Sequence, residues 1–229
     1  MPVNKENYLS IKKELDEKQV TLVAVSKTKP VADILELYHL GQRDFGENYV
    51  QELSDKALQL PDDIRWHFIG HLQTNKVKLI TSFVQLIHGV DSLKLLKEIN
   101  KEAEKNKKSI DCLLQVHIAK EETKFGLAEN ELMTIINETR NKKMSNIKIA
   151  GLMGMASFTE DMELVRAEFR QLKGFFDRLF TPVSLADNIR PTQYRLPALS
   201  MGMSSDYRVA VEEGSTMVRI GSLLFGERV

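Results

Sequence analysis

An α/β fold, and within that class a single-domain (β/α)8 TIM barrel, is what the sequence predicts. Three observations carry that expectation. Short β-branched or apolar runs alternate with longer stretches of helical period. Eight runs of the first kind can be counted, and the alternation proceeds from residue 1 to residue 229 without a linker. Strands separated by helices of ten or more residues describe parallel β/α units, and eight such units are what a closed barrel needs. An open, doubly wound sheet is the structural alternative.

The predicted strands cover residues 21–26 (TLVAVS), 43–46 (RDFG, the weakest), 65–70 (RWHFIG), 84–90 (VQLIHGV), 112–119 (CLLQVHIA), 147–155 (IKIAGLMGM), 196–203 (LPALSMGM) and 217–225 (MVRIGSLLF). Predicted helices lie between them at 31–40, 48–59, 73–81, 93–107, 129–143, 161–179 and 206–213. Their ends are punctuated: Pro30 before the helix at 31, Asp91 and Ser92 before the one at 93, and Gly41 and Gly214 as stops. The run after strand eight reaches Val229 within a few residues, so an eighth helix is missing, and the N-terminal segment 5–18 is expected to pack on the barrel in its place.

Composition narrows the function classes. The 32 Lys and Arg balance the 32 Asp and Glu, so no basic surplus points to nucleic acid. The single cysteine, Cys112, excludes an intramolecular disulfide framework and a zinc site built on paired thiolates, and it fits a reducing cytoplasm. Twelve glycines and six prolines leave little room for low-complexity segments. Residues 1–20 hold no run resembling a signal-peptide core. The longest apolar stretch, 149–156, is far below the roughly twenty residues that cross a bilayer, so no membrane partner is expected.

In such a barrel the site lies where the strands end, so the residues that close each apolar run are the ones to weigh. Lys27 follows strand one and shares strand parity with Val23 and Val25, which directs its amine into the barrel mouth. Desolvation frees a lysine amine as a nucleophile; a solvated lysine at a strand end is the plainer reading. Lys29 has the same parity but abuts Pro30 and falls in the loop. Arg219 sits inside MVRIG, where a buried guanidinium needs either a core carboxylate or a bound ligand. Ser200, Met201 and Gly202 after strand seven, with Gly221 and Ser222 after strand eight and the polar start Ser204, Ser205 and Asp206, form a candidate phosphate cradle.

Other polar groups point elsewhere. His67 and His71 are four apart, but Gly70 interrupts them, and no metal is expected there. Glu160, Asp161, Glu163 and Glu168 read as a helix start and a solvated face, and Cys112 as a small core residue.

A lysine after strand one, an arginine inside strand eight and a phosphate cradle at loops seven and eight suit pyridoxal 5'-phosphate (PLP). The motifs LVAVSKTKP, FGENYVQE, WHFIGHLQTNK, GLMGMA, LSMGMSSDY and GSTMVRIGSLLFGER together resemble the pyridoxal phosphate homeostasis protein family, also called the YggS/PROSC group, over residues 21–229. The resemblance implies an alanine racemase-like barrel (fold type III among PLP proteins) with the cofactor held as a Schiff base on Lys27. It also implies Arg219 at the pyridine nitrogen, Asn48 beside the ring, and Ser200, Gly221 and Ser222 at the phosphate. Ser222 stands where many relatives carry threonine, and Ser205 where an acidic residue is frequent.

The implied role is intracellular PLP homeostasis, by buffering or delivery to apo-enzymes, as a monomer or weak dimer and without established turnover. A slow PLP-dependent amino-acid racemase is the alternative, and an ordinary phosphate-binding barrel isomerase is a third. Arginine disfavours protonation of the ring nitrogen and so weakens the ring as an electron sink. Racemisation also needs a second base, which alanine racemase takes from a C-terminal domain not expected here; Tyr194 or Tyr207 would have to stand in for it, and nothing in the sequence singles out either.

Overall fold

A computed structural model describes residues 3–121, 124–140, 144–180 and 197–226. Eight parallel strands close into a barrel in sequence order: β1 Thr21–Val25, β2 Asp44–Glu47, β3 Arg65–Phe68, β4 Leu86–Val90, β5 Ile110–Gln115, β6 Ile147–Met153, β7 Ala198–Ser200 and β8 Met217–Ile220. Pairing of β8 with β1, Val23 opposite Arg219, makes the closure. The helices are α1 Lys5–Glu17, α2 Val31–His39, α3 Val50–Ala57, α4 Leu93–Lys105, α5 Glu129–Arg140, α6 Met162–Phe180, α7 Tyr207–Glu212 and the single turn α8 Ser222–Phe225. The closed barrel is thus the predicted one, and the open-sheet alternative falls away.

Side chains alternate faces along each strand, so the large apolar cluster of the shell, with Ala24, Phe45, Phe68 and Ile87, packs between strands and helices. A smaller cluster holding Val23, Leu86, Leu113 and Met217 fills part of the barrel interior. Helix α1 supplies Tyr8, Ile11 and Leu15 to the shell. It docks on α8, where the Asn4 amide donates to Leu224 O (2.8 Å) and the Asn7 side-chain amide to Leu223 O (3.2 Å).

Several boundaries differ from expectation: strands five, six and seven end at Gln115, Met153 and Ser200 rather than at residues 119, 155 and 203. Residues 73–81 form a 3-10 helix, Thr74–Leu79, instead of an α-helix; Thr74, Asn75 and Val77 are weak α-formers in a short segment. The last strand stops at Ile220 rather than continuing to Phe225. At that point the Gly221 amide leaves the ladder to meet Ser204 Oγ (3.3 Å), and the apolar LLF run turns helical. Strand five begins at Ile110, so Cys112 lies within it and not at its start. Lys143, Tyr194 and Leu196 fall outside the described residues.

Candidate functional site

A cavity of about 420 Å³ opens where the strands end, with walls from the segments after β1, β2, β3, β6, β7 and β8. Strand β1 runs apolar to Val25, and the Ser26 amide extends the ladder to Gly46 O (3.0 Å). The chain then turns through Thr28, which adopts the left-handed region at φ +63°.

A buried cluster holds that turn. The Thr28 amide donates to Glu52 (2.6 Å), Lys56 Nζ donates to Ser26 O (2.8 Å), Glu47 (2.7 Å) and Glu52 (2.7 Å), and Ser26 Oγ donates to Glu47 (2.7 Å). Burial raises the Glu47 carboxyl against the opposing pull of Lys56. The clamp leaves Lys27, half-buried, on the cavity wall. Lys29 also reaches the wall, but its ammonium donates to Phe225 O (2.8 Å) and ties the β1 loop to α8.

Arg219 stands on the inner face of β8 and reaches the cavity floor while only 4% exposed. Its Nη1 donates to Ser200 O (2.9 Å) and Ser200 Oγ (2.6 Å), and its Nη2 donates to Gly154 O (3.1 Å). Of the two readings the sequence left open, the core-carboxylate one fails: no carboxylate among the described residues pairs with this guanidinium at salt-bridge distance. Burial lowers its pKa to about 10, partly offset by the Asp206 charge, so the group stays cationic at neutral pH. Three of its five N–H donors are used; the other two have no acceptor among the described residues.

Asn48 lines the same cavity, and its buried Oδ1 has no hydrogen-bond partner, a cost that a ligand donor would remove. Its backbone is crowded from behind, since a Cβ on Gly70 would come within 2.3 Å of Asn48 O. At the far wall, Gly221 passes so close to β1 that a Cβ would meet Val25 O at 3.2 Å, and Ser204, Ser205 and Ser222 place hydroxyls beside it.

Five of the eight residues singled out from the sequence therefore share one cavity: Lys27, Asn48, Arg219, Gly221 and Ser222. Ser200, Met201 and Gly202 do not line it. Ser200 is fully buried under Arg219, Met201 packs in the shell, and the left-handed Gly202 (φ +96°) lies against α7, where a Cβ would strike Ala210 Cβ at 2.6 Å.

Glu168 is buried rather than solvated, accepting from the Ser157 amide and hydroxyl (2.7 Å each). His67 lies in the barrel interior, whereas His71 pairs with Asp91 (2.9 Å) and stacks on Phe125. Tyr207 turns to α1, with its hydroxyl 3.2 Å from Glu14. Sequence reading passed over His88, Asp44 and Lys56. Strand parity was the available signal for the first two, since Asp44, His67 and His88 share the inner face.

A barrel that gathers an amine, a buried cation and an orphaned amide oxygen around one cavity has the form of a small-molecule site with convergent polar groups. The chain belongs to the family described as alanine racemase, N-terminal domain, which it matches over residues 4–229. It is 45% identical over 208 residues to the pyridoxal phosphate homeostasis protein of Aquifex aeolicus, covering 90% of this chain and 86% of that one.

Solved structures of PipY from Synechococcus elongatus superpose with TM-scores of 0.85 without PLP and 0.82 with PLP bound. They are 36% identical and cover 96% of this chain and 99% of their own. Alanine racemase from Streptomyces coelicolor shares the fold alone, at TM-score 0.69 and 14% identity over 91% of this chain and 55% of that one. Among the described residues, no helix is long and apolar enough to cross a membrane.

Proposed function

We propose that this protein binds pyridoxal 5'-phosphate and serves its homeostasis inside the cell, holding it covalently through Lys27 for buffering or delivery to apo-enzymes. The observation that carries the reading is the sharing of one cavity by a half-buried lysine and a buried arginine with unused donors. The match to pyridoxal phosphate homeostasis proteins and to a PLP-bound relative supports it.

The residues fit that cofactor. Arg219 offers N–H donors to a pyridine nitrogen, the orphaned Asn48 oxygen lies beside the space for a ring, and Gly221, Ser222 and Ser204 leave room and hydroxyls for a phosphate. When bound, the cofactor supplies an aldehyde that condenses with amines and a ring that accepts electron density. A cationic arginine at the ring nitrogen opposes its protonation, which suits holding the cofactor rather than stabilising carbanions. Tyr207, one of two candidates for a second base, directs its hydroxyl to Glu14 on α1 and does not line the cavity, which supports binding over racemisation.

The test is the absorption spectrum of the protein with added PLP before and after borohydride, on wild type and Lys27→Ala, with the reduced adduct located by peptide mass. A visible band that is lost on reduction, with the adduct on the Lys27 peptide and absent from the variant, is expected. No band in wild type, or a band retained by Lys27→Ala, overturns the reading.

A further inference from the structure

Barrel interiors of this kind are filled mainly by layers of apolar side chains. Here a chain of polar groups runs through the interior from the cavity floor to the opposite end. Arg219 Nη1 meets Ser200 Oγ at 2.6 Å, Ser200 Oγ meets His88 Nδ1 at 3.1 Å, and His88 Nε2 meets His67 Nδ1 at 2.9 Å. His67 Nε2 then meets Asp44 Oδ1 at 3.1 Å, and Asp44 is gripped by Arg65 through Nε (2.7 Å) and Nη2 (2.5 Å). Ser200, His88 and His67 are fully buried. Two imidazoles in the centre of a barrel carry a desolvation cost that leucines of similar size would avoid, so their presence calls for a reason.

Along the contacts described, the donors and acceptors fit one direction. Asp44 is ionised and can only accept, so His67 carries its hydrogen on Nε2. Its Nδ1 then accepts from His88 Nε2–H, His88 Nδ1 accepts from the Ser200 hydroxyl, and Ser200 Oγ accepts from Arg219. With the histidine hydrogens reversed, Ser200 Oγ would accept from both Arg219 and His88, and its own O–H would lose the acceptor it has in this chain. The opposite end thereby dictates the polarity at the cavity. The six links come from five strands, β2, β3, β4, β7 and β8, with Arg65 and His67 both on β3.

We propose that Ser200, His88 and His67 are positioning residues, a one-way hydrogen-bond chain anchored on the Asp44–Arg65 pair that aims the Arg219 guanidinium at the ring nitrogen of a pyridine ligand. The identity of the ligand rests on the reading above; the direction of the chain does not. Ser200 thereby acts through Arg219, not by touching phosphate.

Two measurements test it. On the full chain without ligand, nitrogen NMR of labelled histidines should show His67 and His88 each with a hydrogen on Nε2 and none on Nδ1; a hydrogen on Nδ1 of either overturns the chain. With ring-15N pyridoxal phosphate added, Ser200→Ala and His88→Leu should still form the borohydride-trapped adduct on Lys27. They should also displace the ring-nitrogen resonance and weaken binding about tenfold, the worth of one charged hydrogen bond.

Leu86→Ala, a pure packing change on the same inner face, should leave that resonance in place. Should His88→Leu fail to fold, the smaller Ser200→Ala change carries the test. An unmoved resonance in Ser200→Ala, or an equal movement in Leu86→Ala, overturns the aiming role. Absence of any binding by wild type overturns the ligand reading and the aiming role together, while correct tautomers in that protein would still establish the chain's direction.

Discussion

Asp44 shows what one inner-face position does. Burial pushes its carboxyl up, but hydrogen bonds from Arg65 and His67 outweigh that and hold it at about 2 against an ordinary 3.8. A carboxyl depressed in the folded state contributes stability that is present above its unfolded pKa and is lost as pH falls through the folded one. The window therefore runs from about pH 4 down to about pH 2, and the contribution is on the order of 2 kcal/mol. Asp44→Asn should lower the urea midpoint at pH 7 and flatten the acid limb of the wild-type stability profile in that window. An unchanged acid limb in the variant would refute the assignment.

Strand parity puts Asp44 on the inner face but says nothing of what its carboxylate meets there. Its role became visible only when β3 set His67 against it and β4 set His88 behind His67. Lys27 is the opposite case, because strand parity alone directs it inward and the structure places it on the cavity wall. Glu168 misled for the converse reason: its place among four acidic residues suggested solvent, yet helix α6 turns it under Ser157.

Among the elements, β6 and α6 make a paired test of how backbone geometry decides a glycine. Gly151 of β6 has φ +145°, and a Cβ there would lie 1.8 Å from Ala198 O on β7, next to a register shift between β5 and β6. Gly174 lies within α6 with nothing near its Cβ position. Gly151→Ala should destabilise by about 2 kcal/mol or more, through forced separation of β6 and β7. Gly174→Ala should stabilise by roughly 0.5–1 kcal/mol through helix propensity. Urea unfolding of both variants checks the signs, and equal effects would refute the distinction. The two are indistinguishable as letters in the sequence. The same limit explains the 3-10 helix Thr74–Leu79 and the turn Ser222–Phe225, both short enough for tertiary contacts to override the local pattern.

At the level of the whole molecule, closure of the sheet makes Cys112 a reporter of global opening. The thiol is fully buried on β5, which is paired on both sides by β4 and β6, and burial pushes its pKa up. Thiol reagents should label it only through global unfolding, with no labelled population below the urea transition; native-state labelling at the rate of a free thiol would refute this. The sequence by itself determined the eight-stranded alternation, the inward parity of Lys27 and the place of Arg219 inside a strand, because strand and helix periods are local properties of the chain. Only the tertiary structure decided which loop residues face the cavity and which lie behind it. Ser200 is withdrawn beneath Arg219, and Asp44, His67 and His88 are joined into one path, because hydrogen bonds between residues up to 112 positions apart exist only after the barrel closes.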